Sequence, residues 1–319
     1  MGRTVWHRGG DTGLVSPIGV SEPTDRALGP HTTVLTGARL GTYPSGNSIV
    51  VAGRDSTALI DPSTAVTERG GAPVPVDLVV LTHAHEDHVA GVHLFAEAEV
   101  QIHAADHTGI ASLDGLMGIY GMEPSVDAYY REVVVRDFTY AARPDASTFG
   151  DGAVIDLGGV TITVVHLPGH TAGHCGLLIE PDGVFVTGDI DLSGFGPYYG
   201  DATSSLDDFE RSLVIARGID AAWYSTFHHK GVVNGRDAYV EAIDAYASVI
   251  TRRERAMVEF MTGTARTLAD LVAHRFVYRP HVTLALVDGV ERRSAQMSLV
   301  RLLDRGAVHE VEPGCYLAG

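Results

Sequence analysis

The side chains able to do chemistry gather in three short segments. Residues 82–91 read THAHEDHVAG and place His83, His85, Asp87 and His88 in a His-x-His-x-Asp-His pattern. Side chains two apart in an extended segment face the same way, so His83 and His85 can share one cation. The turn that follows can aim Asp87 and His88 at a second. Residues 167–174, LPGHTAGH, expose His170 behind a Pro168-Gly169 turn. Residues 186–191, VTGDID, set Asp189 just after an apolar run, where Gly188 allows close backbone approach and a carboxylate can bridge two ions. Taken singly, His170 and Asp189 would more often be structural; their order behind the first motif reverses that reading.

These segments need strands to deliver them. Residues 76–82 (VDLVVLT) form a continuous apolar run ending at His83, as a buried strand would. Further strands are expected at 47–52, 57–60, 100–103, 160–166, 175–179, 184–187 and 221–227, the last ending at His228 and His229. Helices are expected over 89–96, 117–130 and 206–217, with residues 105–150 forming a lid or insertion. Beyond Gly235 the pattern turns helical: 238–261, then 267–274 opened by Thr267 with Asp270 three residues on, then 295–305. Residues 307–311 and 315–318 around Pro313-Gly314 read as a hairpin, and helices ending in a hairpin suggest a winged-helix-like unit. The division expected is a catalytic domain over 1–235, with residues 1–33 as an extended Gly/Pro-rich leader, and a helical, winged-helix-like domain over 236–319.

Composition narrows the function classes. The chain has 319 residues, 45% of them hydrophobic, and a formal charge of −17. Residues 236–319 hold equal numbers of Arg and acidic residues, so the whole excess of negative charge sits in residues 1–235. Such a surface repels nucleic acid, and no nucleic-acid partner is expected. No apolar run is long enough to span a membrane and none at the start serves as a secretory signal, so a cytoplasmic protein with no membrane partner is expected. Two cysteines, Cys175 and Cys315, provide neither a disulfide framework nor a thiolate metal site.

The His83–His88 motif, His170 within PGHTAGH and Asp189 within TGD together resemble the metallo-β-lactamase-fold hydrolase superfamily, over about residues 34–233. The resemblance implies an α+β fold, a four-layer αββα sandwich, holding two divalent metal ions, zinc by expectation. By that resemblance His83, His85 and His170 hold the first ion, Asp87 and His88 the second, and Asp189 bridges them. A last histidine ligand is wanted from FHHKGVV; His229 fits the family turn better, and His228 stays open. The helix and winged-helix-like unit after it are similar to the β-lactamase-like protein 2 branch.

The implied function is hydrolysis of a small-molecule ester, thioester or lactone by a metal-bridged hydroxide, with Asp87 also acting as the base. An iron-dependent sulfur dioxygenase is one alternative, and a nuclease or winged-helix nucleic-acid-binding protein is another. Tyr198 and Tyr199, in the loop after Asp189, are expected to line the substrate pocket. Lys230, the one lysine of the chain, is expected to bind an anionic substrate group. The remaining histidines near the motifs, His103, His107, His166 and His174, read as supporting residues, with Asp191 or Thr187 orienting a ligand ring. A homodimer through the terminal helices is a further expectation.

Overall fold

The computed structural model describes residues 24–319; most of the expected leader, residues 1–23, lies outside the described residues. Two sheets face each other. The first has seven strands in sequence order: β1 (Arg26–Ala27), β2 (Thr32–Leu35), β3 (Ser48–Ala52), β4 (Thr57–Ile60), β5 (Leu78–Leu81), β6 (Glu99–His103) and β7 (Ser147–Phe149). The second runs β13 (Val232–Asn234), β12 (Trp223–Ser225), β11 (Val184–Val186), β10 (Cys175–Glu180), β9 (Thr161–His166) and β8 (Val154–Asp156).

Alternation of side chains explains the layers. From β5, Leu78 and Val80 point between the sheets and meet Ile162, Val164, Leu177 and Val186, while Val79 and Leu81 point outward. All four are buried, which is why this strand reads as an unbroken apolar run. The outer face of the first sheet is covered by α2 (Thr64–Arg69), α3 (His107–Ala111) and α4 (Leu113–Tyr120) through Val66, Ile110 and Ile119. The outer face of the second is covered by α6 (Leu206–Gly218) and the front half of α7 (Arg236–Met261) through Phe209, Leu213, Tyr239, Ile243 and Tyr246. The result is the αββα order expected from the sequence.

Two expected helices differ. Residues 89–96 contain only a 3-10 turn, Val92–Leu94, because Gly91 N–H is bonded to the Pro62 carbonyl (2.7 Å) in a neighbouring loop instead of to its own turn. The helix expected over 117–130 is broken in two. Gly121, at φ +55°, caps α4 in the left-handed region, and Pro124 opens α5 (Pro124–Asp137). The one-turn α1 (Ala38–Gly41) lies between β2 and β3.

The back half of α7 enters a separate core, where Met257 and Met261 pack with Leu271 of α8 (Leu268–His274) and with Leu299 and Leu302 of α9 (Val287–Asp304). Thr267 and Asp270 cap α8 reciprocally, as their spacing predicts. A three-stranded sheet, in order β14 (Arg266–Thr267), β16 (Cys315–Ala318), β15 (Val308–Glu312), completes this unit.

Charged side chains join the two cores. Arg301 of α9, 8% exposed, meets Glu210 of α6 at 2.7 Å and Glu254 of α7 at 3.0 Å. Arg293 donates to the backbone carbonyls of Tyr120, Gly121 and Gly200. Without Arg301 the buried Glu254 keeps only the half-exposed Arg305 (2.9 Å) as a charged partner. Arg301→Ala is therefore expected to lower the unfolding free energy by about 3 kcal/mol, with Arg301→Met losing less; urea unfolding of the two variants beside the parent measures both.

Candidate metal centre

The four segments that carry the site all leave carboxyl ends of strands at one edge of the sandwich: β5 before His83, β9 before His170, β11 before Asp189 and β12 before His228. Backbone bonds lash them together. Cys175 N–H donates to the Thr82 carbonyl (2.9 Å), Thr187 N–H to Ser225 (2.9 Å) and Asn47 N–H to Phe227 (2.9 Å).

Two donor groups result. His83, His85, His170 and Asp189 form one, and Asp87, His88 and His228 form the other. In the first, His83 Nε2 lies 3.0 Å from His85 Nδ1 and 3.2 Å from His170 Nε2, and His170 Nε2 is 3.0 Å from His85 Nδ1. Asp189 faces both groups. Its Oδ2 is 3.3 Å from His170 Nε2, and its Oδ1 is 3.0 Å from His88 Nε2 and 3.9 Å from His228 Nε2.

The outer atoms of each ring decide what the inner atoms are. A carbonyl only accepts, so a ring nitrogen facing one must carry hydrogen. His170 Nδ1 meets the Tyr198 carbonyl (3.0 Å) and His228 Nδ1 meets that of Gly41 (2.7 Å). His88 Nδ1 lies 3.0 Å from the Asp61 carboxylate. Thr82 Oγ1 donates to Asp61 (2.7 Å) and is left to accept from His83 Nδ1 (3.1 Å). His85 Nε2 lies 2.9 Å from Asp201 Oδ2, at an angle poor for a hydrogen bond, so this contact is electrostatic. Every neutral ring thus turns a lone pair inward.

Five imidazole lone pairs and two carboxylates then share one buried pocket with no donor among them. His228 Nε2 and Asp87 Oδ2 stand 3.0 Å apart as two acceptors, and Asp87 Oδ2 has no aligned hydrogen-bond partner. Such an arrangement is repulsive unless cations or protons fill it, and these nitrogen and oxygen donors fit divalent metal ions. Protons are the substitute. Burial opposes charge on His85 and His228, but Asp201 acting on His85, and Asp189 with Asp87 acting on His228, outweigh it and push each ring up to about 9. Burial likewise opposes charge on His88, yet Asp189 and Asp61 hold it well above the usual imidazole range.

The family model for the metallo-beta-lactamase superfamily matches residues 41–229, which includes every one of these donors. The chain belongs to the metallo-beta-lactamase superfamily. Among curated superfamily relatives, acyl-coenzyme A thioesterase MBLAC2 of Bos taurus is 31% identical over 119 residues, 37% of this chain and 42% of that protein. Hydroxyacylglutathione hydrolase GloC of Haemophilus influenzae is 30% identical over 121 residues, 37% of this chain and 50% of that protein. The beta-lactamase-like protein 2 homolog of Caenorhabditis elegans is 26% identical over 187 residues, 58% and 52% of the two chains. The chain thus spans about half the length of the curated relatives it matches. Among solved structures, a metallo-beta-lactamase family protein of Thermus thermophilus superposes with TM-score 0.68 at 22% identity, covering 92% of this chain and all of that one. A beta-lactamase domain protein of Burkholderia ambifaria gives 0.67 at 16%, covering 95% and 96%. These two share the fold.

In this superfamily member the structure brings His83, His85, Asp87, His88, His170 and Asp189 into one pocket. It does not bring His229 to them. That ring is 37% exposed, sits at φ +60° and lies 3.7 Å from Asp191, whereas the buried His228 reaches Asp87. The left-handed turn at His229 swings its side chain out, so the geometry selects His228. Tyr199 is buried in the core beneath the Arg253 guanidinium. The Tyr198 hydroxyl donates to Asp201 (3.2 Å). Lys230 is exposed beside the site, and among the described residues its ammonium has no partner.

Sequence reasoning looked to Asp191 and Thr187 to orient ligand rings, but Asp191 holds Ser193 and the Thr187 hydroxyl bonds backbone carbonyls. The residues that do the orienting, Asp61, Thr82 and Asp201, carry no motif of their own. Asp61 directly follows β4 as Asp189 follows β11, a parallel available in the sequence pattern. Asp106 was also missed: it takes Ala84 N–H, Thr171 Oγ1 and Gly173 N–H, tying the His83 and His170 loops. Glu86 binds the hydroxyls of Tyr43, Tyr120 and Tyr130, which clamps α4 and α5 onto the motif loop. His174, read as a supporting residue, donates Nδ1–H to the Leu167 carbonyl and accepts Asp189 N–H (3.0 Å).

Two outcomes are expected. Asp61→Ala should weaken divalent-metal binding about 10- to 100-fold, read by competition with a chromogenic chelator. Because His85 and His228 hold protons up to about 9 when no cation is bound, a metal must displace them. Apparent affinity should rise with pH up to about 9 and then level, with proton release to buffer detected by calorimetry at neutral pH. Affinity flat across that range contradicts the donor assignment.

Proposed function

We propose that this chain is a two-zinc hydrolase of small-molecule esters, thioesters or lactones, with thioesters the favoured class. The observation that carries the reading is the pair of buried donor groups joined by the two oxygens of Asp189. Two named relatives, an acyl-coenzyme A thioesterase and a hydroxyacylglutathione hydrolase, support thioesters within that range.

In this proposal His83, His85 and His170 hold one ion, Asp87, His88 and His228 the other, and Asp189 both. The ions, when bound, supply an activated water and Lewis-acid polarisation of the substrate carbonyl. The chain's own residues do the rest. Asp61, Thr82, Asp201 and the carbonyls of Gly41 and Tyr198 keep all five rings in the tautomer that leaves the inner nitrogen free. Asp87 Oδ2, which lacks an aligned donor, is the place where a proton taken from water can rest before passing to the leaving group. The Tyr198 hydroxyl is held by Asp201, so in this reading Tyr198 acts through its backbone on His170 more than on substrate. Lys230 is the proposed contact for an anionic substrate group, and Lys230→Ala should raise KM.

A second reading, a single-iron sulfur dioxygenase, is disfavoured by the completeness of the Asp87, His88 and His228 group. Metal analysis joined to a substrate panel separates the two. About two zinc ions per chain with thioester turnover supports hydrolysis, and one iron with oxygen consumption refutes it. Asp87→Ala should cost at least about a hundredfold in kcat. His228→Ala should lose one metal together with the activity, while His229→Ala should stay close to the parent in both. The opposite ranking of the two histidine variants overturns the ligand set.

A further inference from the structure

Separate from the metal donors lies a cavity of about 700 Å³, within the range of about 300–1,000 Å³ usual for small-molecule sites. Three elements build it: the middle of α7, the loop after Asp189 at Gly194 and Phe195, and the loop between α8 and α9. Its charge is opposite to that of the molecule. In a chain of net charge −17, four arginines (Arg252, Arg253, Arg275 and Arg279) and His274 line it, and among the described residues no acidic side chain does.

The arginines divide by task. Arg253, 6% exposed, donates to the carbonyls of Phe195 and Pro197, and Arg275 donates to those of Pro280 and Val282. These two shape the walls. Among the described residues, the exposed Arg252 guanidinium bonds only Ser248, and the exposed Arg279 guanidinium has no hydrogen bond or ion pair. Both are left free to meet an anion. Arginine is suited to phosphate because its planar donors match two oxygens at once.

Flat rings stand beside the charges. Phe195 and Tyr278 meet at a tilt of 59° with centroids 5.5 Å apart, and Phe276 lines the same cavity. The wall is preorganised, since the buried Glu291 carboxylate of α9 takes three successive backbone N–H groups, those of Phe276, Val277 and Tyr278. It also adjoins the metal centre. Phe195 and Pro197, held by Arg253, immediately precede Tyr198, whose carbonyl fixes His170.

We infer that this cavity binds the phosphorylated, ring-bearing end of the substrate's thiol carrier, a nucleotide diphosphate group such as coenzyme A carries. The inference rests on the thioester reading for its link to catalysis. A glutathione carrier has carboxylates but no phosphate and no aromatic ring, so it would leave the rings of the wall unused.

Direct binding and kinetics test it separately. Calorimetry of the full chain with ADP, using metal-stripped protein so that turnover plays no part, should show saturable binding that is at least about tenfold tighter than for inorganic pyrophosphate. The double variant Arg252→Ala/Arg279→Ala should weaken ADP about tenfold or more. Arg255→Ala, on the same helix but outside the cavity, should not. In the metal-loaded enzyme, the ratio of kcat/KM for an acyl-coenzyme A to that for the same acyl group on N-acetylcysteamine should fall by a similar factor in the double variant. Absence of ADP binding, equal affinity for pyrophosphate, or an unchanged ratio overturns the inference. If neither thioester is hydrolysed, the thioester reading fails on its own and ADP binding alone decides the cavity.

Discussion

The structure depends on one constraint: buried imidazoles whose outer nitrogens are held as donors must present lone pairs to one another. The carboxylates of Asp61 and Asp201, the Thr82 hydroxyl and the carbonyls of Gly41 and Tyr198 impose it from outside. Acceptor facing acceptor at about 3 Å in a low-dielectric pocket is unfavourable unless a positive charge lies between. The fold therefore carries a site that is costly without cations and favourable with them. The same logic makes protons and metal ions competitors for it, and ties metal affinity to pH.

Much of the remaining molecule keeps that arrangement in place. Asp106 links the loops of His83 and His170, Glu86 clamps α4 and α5 to the motif loop through three tyrosines, and His174 holds the backbone of Asp189. The carboxyl-terminal helices take part as well. Tyr246 of α7 donates to the Asp189 carbonyl (3.2 Å), Arg253 grips the loop before Tyr198, and Arg293 reaches across to α4. Helices beyond the last ligand thus brace the centre, and they also form most of the arginine-lined cavity beside it. Acidity in the front part and cationic lining in the cavity are features of one chain put to different uses.

Legibility in the sequence followed the range of the interactions involved. Strands β4, β5 and β10 and helices α6 to α8 could be read because alternation, helical spacing and a capping box are local patterns. The shorter β1, β7, β8 and β13 could not, since two or three residues carry too little pattern. Residues 89–96 misled because their apolar content serves a turn whose donors go to a different loop. The choice between His228 and His229 turned on one left-handed residue at φ +60°, which composition cannot announce for a non-glycine position.

Six candidate donors, His83, His85, Asp87, His88, His170 and Asp189, their order along the chain and the need for strands to deliver them were legible in the amino-acid sequence alone. Motif residues are neighbours in sequence, and their chemistry is set by type and spacing. Only the tertiary structure decided which atoms of those rings face inward, which of two adjacent histidines belongs, and that four arginines far from the motif line a cavity beside it. These depend on contacts between segments separated by tens to hundreds of residues, such as His228 with Gly41 or Arg253 with Phe195. Such contacts exist only once the layers have packed.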